Sequence, residues 1–133
     1  MEIFLVAIGG SLGSLTRFRI GKLLLDRSLG GRGTGLGNGI PFGTFFVNIT
    51  GAILLGFLSG FYNYYGDSGV LYYRIFGDGF LGAYTTFSTF MYEGFNYFQE
   101  SKALNAIVYI LVSLALGVAG FTAGYFLARV ACG

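Results

Sequence analysis

The sequence predicts an all-α membrane protein of four transmembrane helices, and three observations carry that expectation. Hydrophobic residues make up 54% of the 133 residues and charged residues only 11%, with a mean hydropathy of +0.69. A soluble domain carries about 25% charged residues, so this chain has too few to cover a water-exposed surface. The apolar residues gather into four long segments, and no segment has the continuous charged face of a soluble bundle helix. Four spans use nearly the whole chain, so residues 1–133 read as a single domain.

The first segment runs from Ile3 to about Leu25. Its start, MEIFLVAIGG, has an acidic first side chain and no A-x-A-type cleavage site, and reads as a retained helix rather than a signal sequence. The uncharged part, residues 3–16, reaches about 21 Å at 1.5 Å per residue, short of a hydrocarbon core of about 30 Å. Arg17 therefore snorkels, lies in a watery vestibule or pairs inside the bundle; the sequence leaves all three open. Residues 26–42, DRSLGGRGTGLGNGIPF, hold the sole proline and read as a loop.

The second span, Gly43 to about Tyr62, has no charged residue, and Asp67 and its neighbours form a turn. The third segment, Val70 to about Gln99, contains Arg74, Asp78, Glu93 and the hydroxyl-rich stretch GAYTTFSTFMYE at 82–93. Glycine and threonine are weak helix formers, and threonine hydroxyls compete for backbone groups. This stretch around Gly82 and Thr85 either breaks the helix, freeing carbonyls that could hold a cation, or is tolerated within it. The fourth span runs from Ala103 to about Ala128. Lys22, Arg27, Arg32 and Lys102 on one side, against Arg74 and Arg129 on the other, give only a weak orientation bias.

Small residues four apart, Ser113 with Gly117, Gly120 with Gly124, and Ala52 with Gly56 and Gly60, suit close helix packing in lipid. Asn48 needs a partner at its depth: a structural interhelical bond, or a solute for its NH2 donors. Tyr109 and Ser113 share a face of the fourth helix. Their hydroxyls, with Asn48 and those of 85–89, make a polar track too wide for four thin helices to enclose, which points to an oligomer. Phe87 and Phe90 at i,i+3 are ordinarily packing groups, yet their positive ring edges suit a desolvated anion. Glu93 is a vestibule charge, an arginine partner or a proton-relay group.

The composition also excludes function classes. A net charge of +2, scattered along the chain, does not suit nucleic acid. The lone Cys132 and the absence of histidine leave no disulfide and no ordinary zinc or haem ligands. No nucleophile, base and acid form a catalytic set, so the chain is not read as an enzyme. Amide and hydroxyl donors with aromatic edges fit passage of a small polar solute or anion, without a carboxylate ring or carbonyl filter for cations.

GGSLGSLTRF at 9–18, GTFFVNITGAILLGF at 43–57 and GFLGAYTTFSTFMYE at 79–93 resemble the Fluc/CrcB family of fluoride channels, over all four spans. The resemblance implies an antiparallel, dual-topology homodimer of four-helix subunits with a broken third helix. Two pores at the dimer interface would export fluoride passively down its electrochemical gradient, from a cell inner membrane that holds the chain in both orientations. By the same resemblance Asn48, Phe87, Phe90, Ser88, Thr89, Tyr109 and Ser113 line the fluoride path. Arg17 and Glu93 are vestibule or supporting groups, and backbone carbonyls of Gly82 and Thr85 hold a structural Na+ at the dimer centre. Ala83–Tyr84 departs from the family's small residues there, and the first loop is long and glycine-rich. The alternative is a small multidrug-type, proton-coupled antiporter, which would want a carboxylate in the middle of the first span; residues 3–16 contain none.

Overall fold

The computed structural model describes residues 1–30 and 42–132, and these are all helical apart from short turns. Helix α1 is Glu2–Gly30 and α2 is Phe42–Tyr65. A tight turn at Gly66–Gly69, with Gly66 at φ +57, leads into α3, residues 70–84. Helix α4 is Phe87–Gln99 and α5 is Ala103–Cys132. The predicted loop at 26–42 begins too early, because α1 continues through residues 26–30. Arg32 and the rest of 31–41 lie outside the described residues. The spans of α2 and α5 also run a few residues past their expected ends.

Three helical stretches, Glu2–Leu24, Phe42–Tyr65 and Ala103–Cys132, are long and apolar enough to cross a membrane. The third predicted segment is split into α3 and α4, and neither half reaches the roughly 20 residues a spanning helix needs. Most of α3, Tyr73–Leu81, is a π-helix, a winding that often marks functional sites. Helix α4 ends in a Schellman turn: Lys102 N–H bonds Tyr97 C=O at 2.9 Å and Ser101 N–H bonds Phe98 C=O at 3.2 Å. Ser101, at φ 59, takes the left-handed position usually given to glycine.

Two seams hold the bundle. Helix α2 lies along α5, and α1 along α3. In the first seam a Cβ on Gly56 would run into the Phe121 carbonyl and one on Gly124 into the Ile53 carbonyl. In the second, Gly9 meets the Ile75 carbonyl and Gly13 the Phe80 carbonyl. These contacts bring backbone against backbone, the close approach that small residues permit in lipid. Ser113 and Gly117 do not serve this purpose within the chain, since a Cβ on Gly117 would meet nothing within 4 Å. Buried side chains are few, centred on Val47, Leu81 and Tyr84 and on Phe90, Tyr97 and Tyr109. Large apolar residues such as Phe4, Leu111 and Phe126 face outward, as a membrane setting requires.

Adding one methyl group at the α2–α5 seam should therefore be costly. Gly124→Ala is expected to destabilise the chain by about 1–3 kcal/mol through overpacking, whereas Gly117→Ala leaves the fold of the single chain intact. Thermal unfolding of the two purified variants checks the difference.

Candidate functional site: a helix break beside two cavities

The break falls at Thr85 and Thr86, so of the two positions expected around it Thr85 belongs to it and Gly82, three residues earlier, does not. Gly82 is still helical (φ −59, ψ −33), while Thr85 (φ −78, ψ 163) and Thr86 (φ −146, ψ 120) are extended. The cause is local. Both the backbone N–H and the hydroxyl of Thr85 bond back to the Leu81 carbonyl, at 3.0 and 3.1 Å, which closes α3. Thr86 then opens α4 as its N-cap, its Oγ1 accepting from Thr89 N–H at 3.3 Å and donating to Thr89 Oγ1 at 3.0 Å.

Side chains of α1 and α2 hold the freed backbone. Asn48 on α2 pairs with Thr86 at both ends of its amide: Oδ1 accepts from Thr86 N–H at 2.8 Å and Nδ2 donates to Thr86 C=O at 3.0 Å. Arg17 on α1 donates from Nη1 to Thr85 C=O at 3.1 Å. It pairs inside the bundle, one of its three expected fates, and does not snorkel from a helix end. Tyr84, the residue that departs from small side chains, stacks on Phe80 with ring centroids 6.0 Å apart and pairs its hydroxyl with Thr50 Oγ1 at 2.9 Å. Gly51 makes room for this packing, because a Cβ there would collide with the Thr85 methyl.

A cavity of about 600 Å³ opens on one side of the break. Asn48, Gly82, Thr85, Thr86, Phe87, Phe90 and Ser113 all border it, so four helices and the break between two of them contribute to one space. Ser113 Oγ is buried without a hydrogen-bond partner. Phe90 is 6% exposed and packs on Tyr109, centroids 5.2 Å apart, but Phe87 is 74% exposed. A second cavity of about 350 Å³ lies among Arg17, Lys22, Thr44, Thr86 and Thr89. Thr86 borders both.

The predicted path residues are thus not all in one place. Asn48, Phe87, Phe90 and Ser113 share the larger cavity, Thr89 borders the smaller, and Ser88 is exposed. Tyr109 is buried behind Phe90 and donates to Glu93 Oε2 at 2.8 Å. Thr44 donates to Glu93 Oε1 at 2.6 Å, so both oxygens of the carboxylate are engaged by hydroxyls rather than by an arginine. The part played by Thr44 went unpredicted, although its place one turn before Asn48 on α2 was the available signal. The place of Lys22, which borders the smaller cavity together with Arg17, was also missed.

A family model described as CrcB-like protein, Camphor Resistance (CrcB), matches residues 4–125. The chain belongs to the CrcB family. Three relatives agree with it over most of their lengths. A protein of Clostridium acetobutylicum named fluoride-specific ion channel FluC 2 is 45% identical over 130 residues, 98% of this chain and 100% of its own. One of Mycobacterium bovis with the same name is 41% identical over 94% of this chain and 89% of its own. A fluoride-specific ion channel FluC of Acidobacterium capsulatum is 37% identical over 89% of this chain and 88% of its own. In this CrcB chain the stretches 9–18, 43–57 and 79–93 form the α1–α3 seam, the clamp and the break.

Removing the clamp tests how the break is held. Asn48→Ala is expected to cost about 1–3 kcal/mol for each of the two Thr86 backbone groups left unpaired. Hydrogen exchange of the Thr86 amide, read beside thermal unfolding, should show lost protection there before any change at the α2–α5 seam.

Proposed function

We propose that this CrcB-family chain is a passive fluoride channel, exporting fluoride down its electrochemical gradient through two pores in an antiparallel homodimer. One observation carries the reading: Asn48, the unpartnered Ser113 hydroxyl and the Phe87–Phe90 pair border a single cavity. Relatives named fluoride-specific ion channels supply the ion. A small, strongly hydrated anion gives up water only to several donors at once. Ser113 Oγ–H is available, and Asn48 retains the Nδ2 hydrogen not used on Thr86. The two phenylalanine rings, centroids 6.2 Å apart and tilted 45°, offer edges of positive potential beside them.

The exposure of Phe87 supports a dimer, since one wall of the path is open in a single chain and a second copy would close it. In this reading α3 and α4 together make the fourth crossing. The weak charge bias lets both orientations of the chain insert in a cell inner membrane. The cationic smaller cavity, with Arg17 and Lys22, would gather anions at the mouth, with Ser88 and Thr89 at the start of α4 beside it. Tyr109 and Glu93 support the path from behind Phe90. The family's activity is transport, and the chain is not an enzyme. A proton-coupled antiporter is disfavoured, because Glu2, the one acid within Glu2–Leu24, sits at the helix end paired with Arg74 at 2.6 Å.

A structural sodium ion at the dimer centre belongs to the same reading. Gly82 C=O suits it: in an unbroken helix Thr86 N–H would bond this oxygen, but that donor goes to Asn48, and Gly82 borders the cavity. Thr85 C=O suits it less well, because Arg17 already donates to that oxygen. When bound, the ion would supply a fixed positive charge at the break.

Fluoride efflux from liposomes containing the purified protein, measured beside chloride efflux, tests the channel. Fluoride is expected to leave and chloride to stay; equal permeation of the two ions would sink the selective reading. Phe87→Ile and Phe90→Ile should each cut fluoride efflux by about tenfold or more while the dimer still assembles. Unchanged flux in the double variant would remove the rings from the path.

A further inference from the structure

Asn48 meets Thr86 only while α2 turns the right edge toward the break. A side chain rotates about its own χ angles, so one amide tolerates some roll of the helix that bears it. The strip of α2 facing the break carries a second contact. Gly51 lies directly beneath: a Cβ there would strike the Thr85 methyl and touch the Tyr84 ring at 3.4 Å. At 3.6 residues per turn, Asn48 lies about 60° to one side of Gly51 and Thr50 about 100° to the other. Asn48 pairs with Thr86, and Thr50 meets the Tyr84 hydroxyl at 2.9 Å. The last helical residue of α3 and the N-cap of α4 thus straddle one glycine of α2.

The direction of the second bond follows from counting hydrogens. Thr50 has a single hydroxyl hydrogen, and it is spent inside α2 on the Phe46 carbonyl at 2.7 Å. Tyr84 O–H is therefore the donor and Thr50 Oγ1 the acceptor. Tyr84 is 4% exposed, and a phenol so buried needs such a partner. Its ring is fixed by Val47 and Leu81 and by Phe80, stacked within 10° of parallel. Neither Tyr84 nor Thr50 borders either cavity, so any effect on an ion passes through other residues. We propose that Tyr84 and Thr50 form a second pin that locks the roll of α2 against the break. The pin positions Asn48, and with it the spare Nδ2 hydrogen, at the larger cavity. Its effect on fluoride rests on the channel reading above, whereas the pin itself can be measured without it.

Tyr84→Phe removes the donor, Thr50→Val removes the acceptor, and Thr50→Ser keeps a hydroxyl in place. In the full chain in lipid nanodiscs, the Thr86 amide should exchange about three- to tenfold faster in each of the first two. Amides along the α2–α5 seam should be unchanged. Fluoride efflux from liposomes should fall by about threefold or more in the same two variants, while Thr50→Ser stays close to wild type in both measurements. The double variant Tyr84→Phe with Thr50→Val should be no worse than the more affected single, because the two share one bond. Additive losses in the double variant, or wild-type exchange at Thr86 in both singles, overturn the pin. Faster exchange with unchanged efflux overturns its part in positioning Asn48 for the ion. A wild-type protein that passes no fluoride defeats the channel reading, and the exchange measurements then decide the pin alone.

Discussion

Asn48 and the backbone of Thr86 form a two-point pair, N–H to Oδ1 and C=O to Nδ2, and the site is arranged around it. A helix interrupted inside a membrane exposes peptide groups that hydrocarbon cannot satisfy, each at a cost of several kcal/mol. One side-chain amide reproduces for Thr86 what a neighbouring strand would provide. With that pair in place, Thr86 can spend its hydroxyl on capping α4, which directs Phe87 and Phe90 into the cavity. The pair also takes the N–H that Gly82 C=O would otherwise bond, so the oxygen proposed for a cation is free because of a side chain on another helix.

The break also divides charge. On one side Arg17 and Lys22 border a small cavity with threonine hydroxyls; on the other, Asp78 borders a larger one with a freed carbonyl. Side chains of opposite charge thus line the two cavities that meet at Thr86. Arg17 takes part in both, since it faces the smaller cavity while its guanidinium bonds a carbonyl that borders the larger. Its long stem lets a charge that starts in the middle of α1 reach the polar groups of the break.

Much of this was legible in the residues. Length and hydropathy place the apolar segments, and the adjacent threonines at 85 and 86 mark where the third one breaks. What the sequence could not reveal is how polar groups choose partners across helices. Asn48 faced two possible fates, and it meets one with most of its amide while keeping a hydrogen for the other. Glu93 was open between three roles; its two hydroxyl donors come from helices 49 and 16 residues away in the chain, a distance no local pattern spans. Tyr84 looked like an anomaly until its ring was seen stacked on Phe80 with its hydroxyl on Thr50. The glycine-rich run after Leu25 suggested an early loop, but α1 carries its helix to Gly30 before the described residues stop.

Three consecutive residues, Tyr84, Thr85 and Thr86, are each fastened by a different side chain drawn from α1 or α2. A segment pinned at three successive points has no second arrangement within easy reach, and swinging it would release four hydrogen bonds into an apolar interior. The interrupted helix is therefore a fixture of the fold and not a hinge. Movement at this cavity has to come from side chains and not from the backbone of the break.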